Sequence, residues 1–301
     1  MSKNYPFTQA VGIIAAIWTH PANKRKRLQS LMRFFGWQIF KRTLKRPLVI
    51  GFHGKKLKCY PGSTSTSAAI YFNGLSDYWE MKFIQAYLRP GDNFLDIGAN
   101  AGVYTVLAAA CVGASGSVDA LEPMDTTARW IEEQISLNKL SNVEVHRLAA
   151  GDKEQVVDFG YANDSSMMHM QRAGEPADAA VRVQGVRLDS FKPRKHYAMA
   201  KMDIEGAEPL ALQGAANKLH QANPPVWLLE LAGYSQHYGM RSDEVLDLLK
   251  SAGYECAVYK SETRQLVFTD RPWELDVQNV LAVSRAHKHM VLRRIQTVDT
   301  K

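Results

Sequence analysis

The sequence predicts a doubly wound α/β domain with a mostly parallel sheet, and two observations support this prediction. From about residue 92 onward, short apolar stretches alternate with helix-like stretches. In the helix-like stretches apolar residues recur at i, i+3, i+4 and i+7, as in Val103, Val106, Leu107 and Ala110, which is the spacing of a helix that packs through one face. Such alternation is typical of a parallel sheet with helices on both faces, whose ligand binds at the carboxyl ends of the strands.

Length and composition exclude several classes of protein. A chain of 301 residues, 46% hydrophobic and 22% charged, has ordinary globular usage, which excludes collagen, low-complexity disorder and a multi-span membrane protein. The three cysteines, Cys59, Cys111 and Cys256, are far apart and form no C-x-x-C pair. We therefore expect neither a disulfide framework nor a cysteine zinc site, and we expect a reducing, cytoplasmic location.

The first part of the chain is strongly basic. Residues 1–76 contain 13 lysines and arginines and no acid, and Asp77 is the first acidic residue. This charge favours an anionic partner such as a membrane surface, a nucleic acid or an acidic glycan, with a solvated basic face as the alternative. The apolar run Ala10–Trp18 is shorter than the about 20 residues of a membrane span, so we expect a helix that packs on the body or lies on a surface. The Ser/Thr-rich stretch Gly62–Ser67 is predicted to be a loop.

The first three strands of the domain are predicted from apolar stretches that end in turns. Asn93–Gly98 is short and apolar and ends on glycine. Ser117–Leu121 follows, and it leads into a helix at Asp125–Asn138 that Asp125 can cap. Val143–Leu148 is the third strand.

The second half of the domain repeats the alternation. A fourth strand, Ala198–Ile204, leads into a helix that Pro209 can begin. Val226–Leu231 is the fifth strand, and Ser242 can cap the helix that follows it.

Two regions depart from the alternation. Residues 153–197 are expected to be irregular, with short strand candidates at Val156–Phe159 and Val181–Leu188. The late strands Glu255–Lys260 and Asn279–Ser284 have no good helix between them, so we expect an antiparallel pair at one edge of the sheet.

The sharpest functional signal is the run Asp96–Gly102, at the turn from the first strand into its helix. Gly98 and Gly102 let the backbone pass close under a ligand. Glu122 ends the second strand twenty residues beyond Gly102, the position from which a carboxylate binds ribose hydroxyls. These features together predict a site for a nucleoside-containing cofactor.

The residue before the turn indicates which cofactor binds. A dinucleotide fold has glycine at the place that Asp96 occupies, so that a pyrophosphate can meet the helix. A carboxylate repels phosphate but suits an ammonium or sulfonium group, which favours S-adenosylmethionine over a nicotinamide dinucleotide. The alternative is a helix-capping aspartate in an α/β protein with no such ligand.

The chain resembles the FkbM family of S-adenosylmethionine-dependent methyltransferases. The family's D-x-G-A-N-x-G-x-Y loop matches Asp96–Tyr104, and its K-x-D-x-E-G-x-E loop matches Lys201–Glu208. Further family-like residues are Glu122-Pro123, Leu137-Asn138, Leu188-Asp189 and Glu230. The resemblance covers about residues 75–285. It implies a class I methyltransferase fold: a Rossmann-like, mostly parallel seven-stranded sheet with an antiparallel edge strand, here with a basic amino-terminal extension.

The resemblance also implies roles in cofactor binding. The methionine end of S-adenosylmethionine would be held by Asp96, Gly98, Asn100 and Gly102, and the ribose by Glu122. Asp152, in the turn after the third strand, is placed to contact the adenine amino group, although it can also be a simple turn former.

Acidic residues at the end of the fourth strand are the candidates for catalysis. Asp203 or Glu205 would act as general base or orient the acceptor, with Lys201 pairing one of the acids. A structural ion-pair network is the alternative. His237, in the loop after the fifth strand, is a further candidate base, because a near-neutral imidazole suits proton removal, although a lone loop histidine is more often only exposed. No spacing of residues demands a metal, and we expect none.

These observations predict three regions and a function. The regions are a basic accessory segment at 1–76, a methyltransferase domain at 77–286 and a basic tail at 287–301. The function is O-methylation of a hydroxyl on a glycan, glycolipid or secondary metabolite, and residues 1–58 are candidates for peripheral contact with an anionic membrane. One alternative is a nucleic acid methyltransferase, although a nucleic acid partner is less favoured than a glycan or small-molecule acceptor. The other is a non-catalytic binding protein that keeps the cofactor fold.

Overall fold

The computed structural model describes residues 5–61, 66–161, 168–170, 181–231, 234–275 and 279–297. Helices and strands alternate along most of this length. The helices are α1 (Tyr5–Thr19), α2 (Arg27–Thr43), α3 (Thr66–Asn73), α4 (Tyr78–Tyr87), α5 (Val103–Val112), α6 (Asp125–Asn138), α7 (Glu208–Gln213), α8 (Ala216–His220), α9 (Ser242–Ser251) and α10 (Lys288–Gln296). The strands are β1 (Leu48–Phe52), β2 (Lys55–Cys59), β3 (Asn93–Ile97), β4 (Ser117–Leu121), β5 (Val143–His146), β6 (Ala149–Gly151), β7 (Val156–Tyr161), β8 (Met168–Met170), β9 (Val181–Arg187), β10 (Met199–Met202), β11 (Val226–Glu230), β12 (Tyr254–Lys260), β13 (Gln265–Phe268) and β14 (Asn279–Ser284).

A large mixed sheet organises the molecule. Its strand order is β13-β12-β14-β11-β10-β3-β4-β5, and the five strands from β11 to β5 are parallel. Neighbouring residues of β3 enter different cores: Phe94 packs with α4, α5 and α10, whereas Leu95 packs with α7, α8 and α9. Since both faces are covered by helices, the doubly wound α/β class predicted from the sequence is confirmed.

The sheet contains one strand more than predicted within the described part of the chain. The late strands do pair antiparallel, as β12 and β14, but β14 lies between β11 and β12 and is therefore not at the edge. The chain turns back after β12, and β13 pairs antiparallel with it and becomes the edge strand. The expected seven strands are thus eight in this sheet.

Other differences from the predictions are local. The region 153–197, expected to be irregular, contains the strands β7, β8 and β9, which join β6 in a second sheet of order β6-β9-β7-β8. Strands β7 and β9 coincide with the two short strand candidates in that region. Asp125 is the first residue of α6, and Met124 occupies the cap position. Ser242 likewise begins α9, after Arg241 at the cap. The predicted loop Gly62–Ser67 ends at α3, which begins at Thr66, while residues 62–65 lie outside the described ranges.

Buried polar contacts attach the amino-terminal helices to one another. The side-chain amide of Asn23, between α1 and α2, donates to the backbone oxygen of Ile17 at 2.9 Å and to Oδ1 of Asn73 on α3 at 2.8 Å. Ser30 Oγ of α2 donates to Asn23 Oδ1 at 2.8 Å. None of the described helices combines the length and apolar character that crossing a bilayer requires.

Candidate active site

A cavity of about 760 Å³ opens at the carboxyl ends of β3, β4, β10 and β11. The turn after β3, the residues after β4 and the loop after β10 supply most of its polar wall. Ser76 and Asp77, just before α4, close it from the amino-terminal side. An apolar wall consists of Met124, Trp130, Leu148, Phe159 and Met170. This is the position at which ligands bind in open α/β sheets.

The glycine turn after β3 permits a close approach of two backbone segments. Gly98 has φ +77°, and a Cβ placed on it would lie 1.9 Å from the carbonyl oxygen of Asp203. Gly102, at φ +78°, is the N-cap of α5 and faces Ile131 of α6. Asn100 also has positive φ, +50°, between the two glycines. No L side chain fits at Gly98, so this turn is shaped by the absence of one.

Glu122 forms the wall of the cleft opposite that turn. Its Oε2 accepts from the backbone N–H of Asn100 at 2.8 Å, and its Oε1 accepts from the N–H of Met124 at 3.0 Å and from Thr127 Oγ1 at 2.7 Å. These bonds fix the carboxylate at the end of β4, although burial raises its pKa. A fixed carboxylate at this place fits two ribose hydroxyls.

Asp96 is placed behind the turn and does not line the cavity. It is fully buried, and Thr105 Oγ1 donates to its Oδ2 at 2.6 Å. Its Oδ1 has no hydrogen-bond partner among the described residues. Burial raises the pKa of this carboxyl, while Lys201 opposes that rise. Its contact with the methionine end of a cofactor stays a prediction.

Lys201 is a buried cation surrounded by the carboxyl groups of Asp77, Asp96 and Asp203. Its Nζ donates to Asp203 Oδ2 at 2.8 Å and lies 4.6 Å from the centre of the Tyr104 ring. Burial opposes the charge on Lys201, but the carboxylates of Asp203 and Asp96 outweigh it, so its pKa lies above its ordinary value. Tyr104 in turn donates to Asp77 Oδ2 at 2.8 Å.

Asp203 and Glu230 form a hydrogen-bonded pair of carboxyl groups on neighbouring strand ends. Burial, followed by the charge of Asp203, raises the pKa of Glu230 to about 9. Burial also opposes ionisation of Asp203, but Lys201 and the hydrogen bond from Glu230 outweigh it and lower its pKa. These effects favour the proton on Glu230 and the negative charge on Asp203.

The loop after β10 has unusual backbone geometry beside this pair. Glu205 lines the cavity with φ +57°, and Gly206 follows at φ +100°. A non-glycine residue in this conformation costs about 1–3 kcal/mol, and such residues cluster at functional sites. Glu208 does not line the cavity, because its Oε1 accepts from the N–H of Ile204 at 2.9 Å and so holds the loop.

The sequence predictions and the geometry agree for most but not all of the site. The cavity is lined by Gly98, Asn100, Glu122, Lys201, Asp203, Glu205 and Glu230. Asp152 is half-buried, lies 3.6 Å from Lys153 and is not part of the lining. His237 lies in the short 3₁₀ helix Tyr234–Tyr238, but its side chain is outside the described part of the structure. The roles of both residues stay predictions.

Sequence reasoning missed the residues that close the cleft from other elements. Asp77 and Trp130 both line it, and Trp130 stacks on Tyr60 with ring centres 4.5 Å apart. The first acid after a long basic segment is a signal that could have singled out Asp77. Trp130 gives no such signal, because an aromatic residue on an amphipathic helix more often belongs to the core.

A group of metal-ligand residues lies outside this cleft. Asp119, Glu144 and His146 are within reach of one another. Lys192 and Lys195, however, each donate to an oxygen of Asp119, and Lys192 also donates to Glu144. The ammonium groups of Lys192 and Lys195 therefore already neutralise these carboxylates.

A comparison with protein families identifies the chain. The model of the methyltransferase FkbM domain matches residues 96–256, more than half of the sequence. The chain belongs to the FkbM methyltransferase family. No curated protein matches the sequence.

Solved structures of similar fold are distant from this FkbM protein. M. jannaschii TYW2 in complex with AdoMet has a TM-score of 0.42 and 13% identity, covering 79% of this chain and 85% of that chain. An rRNA methylase from Streptococcus thermophilus has a TM-score of 0.38 and 12% identity, covering 67% and 91%. A SAM-dependent O-methyltransferase from Thermotoga maritima has a TM-score of 0.36 and 14% identity, covering 68% and 63%. Similarity at this level does not decide a substrate.

Family membership makes the protein a methyltransferase with S-adenosylmethionine as cofactor. The geometry fits this cofactor. The backbone turn at Gly98 and Asn100 lines the cleft, and Glu122 is fixed at its wall. The carboxyl groups of Asp203 and Glu205 also line it and are suited to a sulfonium and an ammonium group.

Proposed function

We propose that this FkbM-family enzyme methylates a hydroxyl oxygen on a glycan, glycolipid or secondary metabolite. The observation that supports this most directly is the position of the Asp203 carboxyl in the cleft, where its Oδ2 accepts from Lys201 Nζ at 2.8 Å and Glu230 lies beside it. An alcohol loses a proton when its oxygen is methylated, so the site needs a carboxylate that is charged at neutral pH and fixed in place.

Each residue of the pair has a defined part in this proposal. S-adenosylmethionine supplies an electrophilic methyl group when bound. Asp203 accepts the hydrogen bond of the acceptor hydroxyl and takes its proton as the oxygen is methylated, with Glu205 as the alternative base. Lys201 and Glu230 hold the Asp203 carboxylate. Orientation can supply about 7–11 kcal/mol of the barrier, and a general base contributes roughly 10²–10⁴-fold.

Calorimetric titration tests the cofactor site first. S-adenosylmethionine and its demethylated product are titrated into the wild type and into Asp96→Ala. We expect micromolar binding that the variant loses. Absence of binding in a folded wild type would remove the basis of the proposal and favour a non-catalytic binding protein.

Transfer of a ¹³C-labelled methyl group then tests the acceptor class. Hydroxylated acceptors are incubated with labelled cofactor, and the carbon chemical shift of the product distinguishes a methyl ether from a methylated amine. Asp203→Asn is expected to reduce turnover by roughly 10²–10⁴-fold without loss of cofactor affinity. A labelled amine as the main product would contradict O-methylation.

The basic amino-terminal region is compatible with two kinds of anionic partner. Its 13 basic residues support either peripheral contact of residues 1–58 with an anionic membrane or, as a second candidate, tracking of nucleic acid phosphates. Apolar side chains on α1 and α2 are exposed, which favours the membrane. A nucleic acid methyltransferase would instead bind RNA with a steep loss of affinity as salt rises.

A further inference from the structure

A second cavity, of about 670 Å³, lies in the amino-terminal region. It is walled by the segment between α1 and α2, by the turn between β1 and β2, by residues 73–75 and by the first part of α4. Its side chains include Lys24, Arg25 and Lys26 from the first of these segments and Lys82 from α4. None of the described residues that line it carries a carboxylate.

The cations of this cavity have no anionic partner among the described residues. Within the described ranges, no salt bridge joins any of these four side chains to an acid, and Lys82 Nζ lies 6.0 Å from the centre of the Tyr78 ring. Burial and the nearby Lys82 lower the pKa of His53, which also lines the cavity. Neighbouring cations repel one another, so this arrangement favours an anion with several acceptor oxygens, such as a phosphate group.

An exposed apolar row begins next to the cavity. On α2, Leu28, Met32, Phe35 and Ile39 recur at helical spacing, and between 50% and 70% of each is exposed. The opposite face of α2 is buried through Phe34 and Trp37. Helix α2 is therefore apolar on its inner and outer faces, and only the inner one has a partner among the described residues.

The helix before it continues this surface. On α1, Val11, Ile13 and Trp18 are exposed, and Arg27 lies 5.3 Å from the Trp18 ring. A helical surface with basic and apolar side chains together is typical of helices that lie in a membrane interface. A nucleic acid would neutralise the cations but would leave the apolar row in water.

We propose that the basic cavity binds the phosphate headgroup of an anionic membrane lipid. In this arrangement the apolar row of α2 and the exposed apolar side chains of α1 enter the bilayer interface. This inference rests on the membrane contact proposed above for residues 1–58 and is independent of the methyl-transfer chemistry. It adds a specific headgroup site to that contact. A general attraction between charges would need no cavity.

Vesicle sedimentation with the full chain, without cofactor, tests the proposal. Vesicles contain phosphatidylglycerol in phosphatidylcholine, or phosphatidylcholine alone. The variant is Lys24→Gln/Arg25→Gln/Lys26→Gln, and the control Lys139→Gln/Arg182→Gln/Arg194→Gln removes the same charge from exposed positions elsewhere. We expect the cavity variant to bind anionic vesicles at least ~10-fold more weakly and the control to change little.

A second pair of variants tests the apolar row. Met32→Ser/Ile39→Ser removes two exposed apolar side chains, and Val156→Ser/Val267→Ser is the control at exposed positions of the body. We expect only the first to weaken vesicle binding. Circular dichroism verifies the fold of each variant.

The outcomes separate the two proposals. Equal weakening in the cavity variant and its charge control would overturn the headgroup site and leave a diffuse membrane contact. Binding of inorganic phosphate without recruitment to vesicles would also overturn it, in favour of a free-anion site. A wild type that ignores anionic vesicles but binds duplex RNA would overturn both the site and the membrane contact.

Discussion

At Gly98 the turn after β3 passes very close to the loop after β10. This close approach is possible only because Gly98 has no side chain. A Cβ on Gly98 would lie 1.9 Å from the backbone oxygen of Asp203. A change of side-chain rotamer cannot relieve this clash, because the obstructing atom belongs to the backbone. The same loop carries Asp203 and Glu205. The position of the acids proposed for catalysis therefore depends on a glycine of the turn after β3.

Gly98→Ala is expected to destabilise the protein strongly. Both the positive φ and the backbone contact oppose a Cβ, so we expect a loss of at least ~2 kcal/mol in the free energy of unfolding, together with loss of cofactor binding. Gly253→Ala is the control, since Gly253 has φ +90° and no atom within 4 Å. Its expected cost is ~1 kcal/mol. Equal costs in urea denaturation would show that the close approach is not limiting.

Glu230 predicts a loss of stability as the pH rises. Burial and Asp203 raise its pKa to about 9 in the folded chain, from an ordinary value of 4.5. Between these values the folded state holds one proton more than the unfolded state, so this group makes the free energy of unfolding fall with rising pH. Glu230→Gln removes that titration.

The free energy of unfolding of Glu230→Gln, relative to the wild type, is expected to rise across the same pH range. Urea denaturation at several pH values measures it, with Glu262→Gln at an exposed position as control. A difference that stays constant with pH would contradict a proton held by Glu230.

At the scale of elements, Asp119 attaches the middle of β4 to the segment that enters β10. Its buried carboxylate accepts from Lys192 and Lys195, and from Tyr197 at 2.9 Å. Burial opposes its ionisation, but the hydrogen bonds outweigh that effect and hold its pKa below the ordinary range. Its contribution to stability is therefore present at neutral pH and is lost as the pH falls.

Asp119→Asn is expected to cost about 3 kcal/mol at neutral pH, because it removes the buried carboxylate that pairs with the half-buried ammonium groups of Lys192 and Lys195. Asp158→Asn is the control: this exposed carboxylate lies 3.7 Å from Arg182, and a surface pair contributes about 0–1 kcal/mol. Thermal unfolding of both variants measures the difference. A small effect at Asp119 would mean that the lysines find water instead.

Periodic elements were predictable, and contacts between distant segments were not. The strand ending at Gly98 and helix α6 follow from apolar spacing, which is a local property. Strand β13 pairs only because the chain turns back on β12, and strands β6 and β8 are three residues long, too short to show a period. Within the site, the motif Lys201–Glu208 predicted Asp203, and the spacing of twenty residues from Gly102 predicted Glu122. Asp77 was not predicted, because only the fold brings it to Tyr104.

At the scale of the whole molecule, cofactor binding and folding are linked by mass action. S-adenosylmethionine at 100 times its Kd is expected to raise the free energy of unfolding by about 2.7 kcal/mol. Glu122→Gln is expected to lose most of this gain. The two carboxylate oxygens of Glu122 accept hydrogen bonds from the turn at Asn100 and from Met124 before α6, and an amide has only one oxygen to accept with. Glu132→Gln, on the outer side of α6, is the control. An equal gain in both variants would exclude Glu122 from the cofactor site.

One short stretch of chain is shared by the two cavities. Residues 73–75 wall the basic cavity, Ser76 and Asp77 wall the methyl-transfer cleft, and His20 bonds the Ser76 oxygen at 3.0 Å. A ligand that shifted this stretch in one cavity would change the wall of the other. Thermodynamic reciprocity then requires that if anionic lipid tightens cofactor binding by some factor, the cofactor strengthens attachment to the membrane by the same factor. An enzyme loaded with its methyl donor would stay longer at the surface than an empty one.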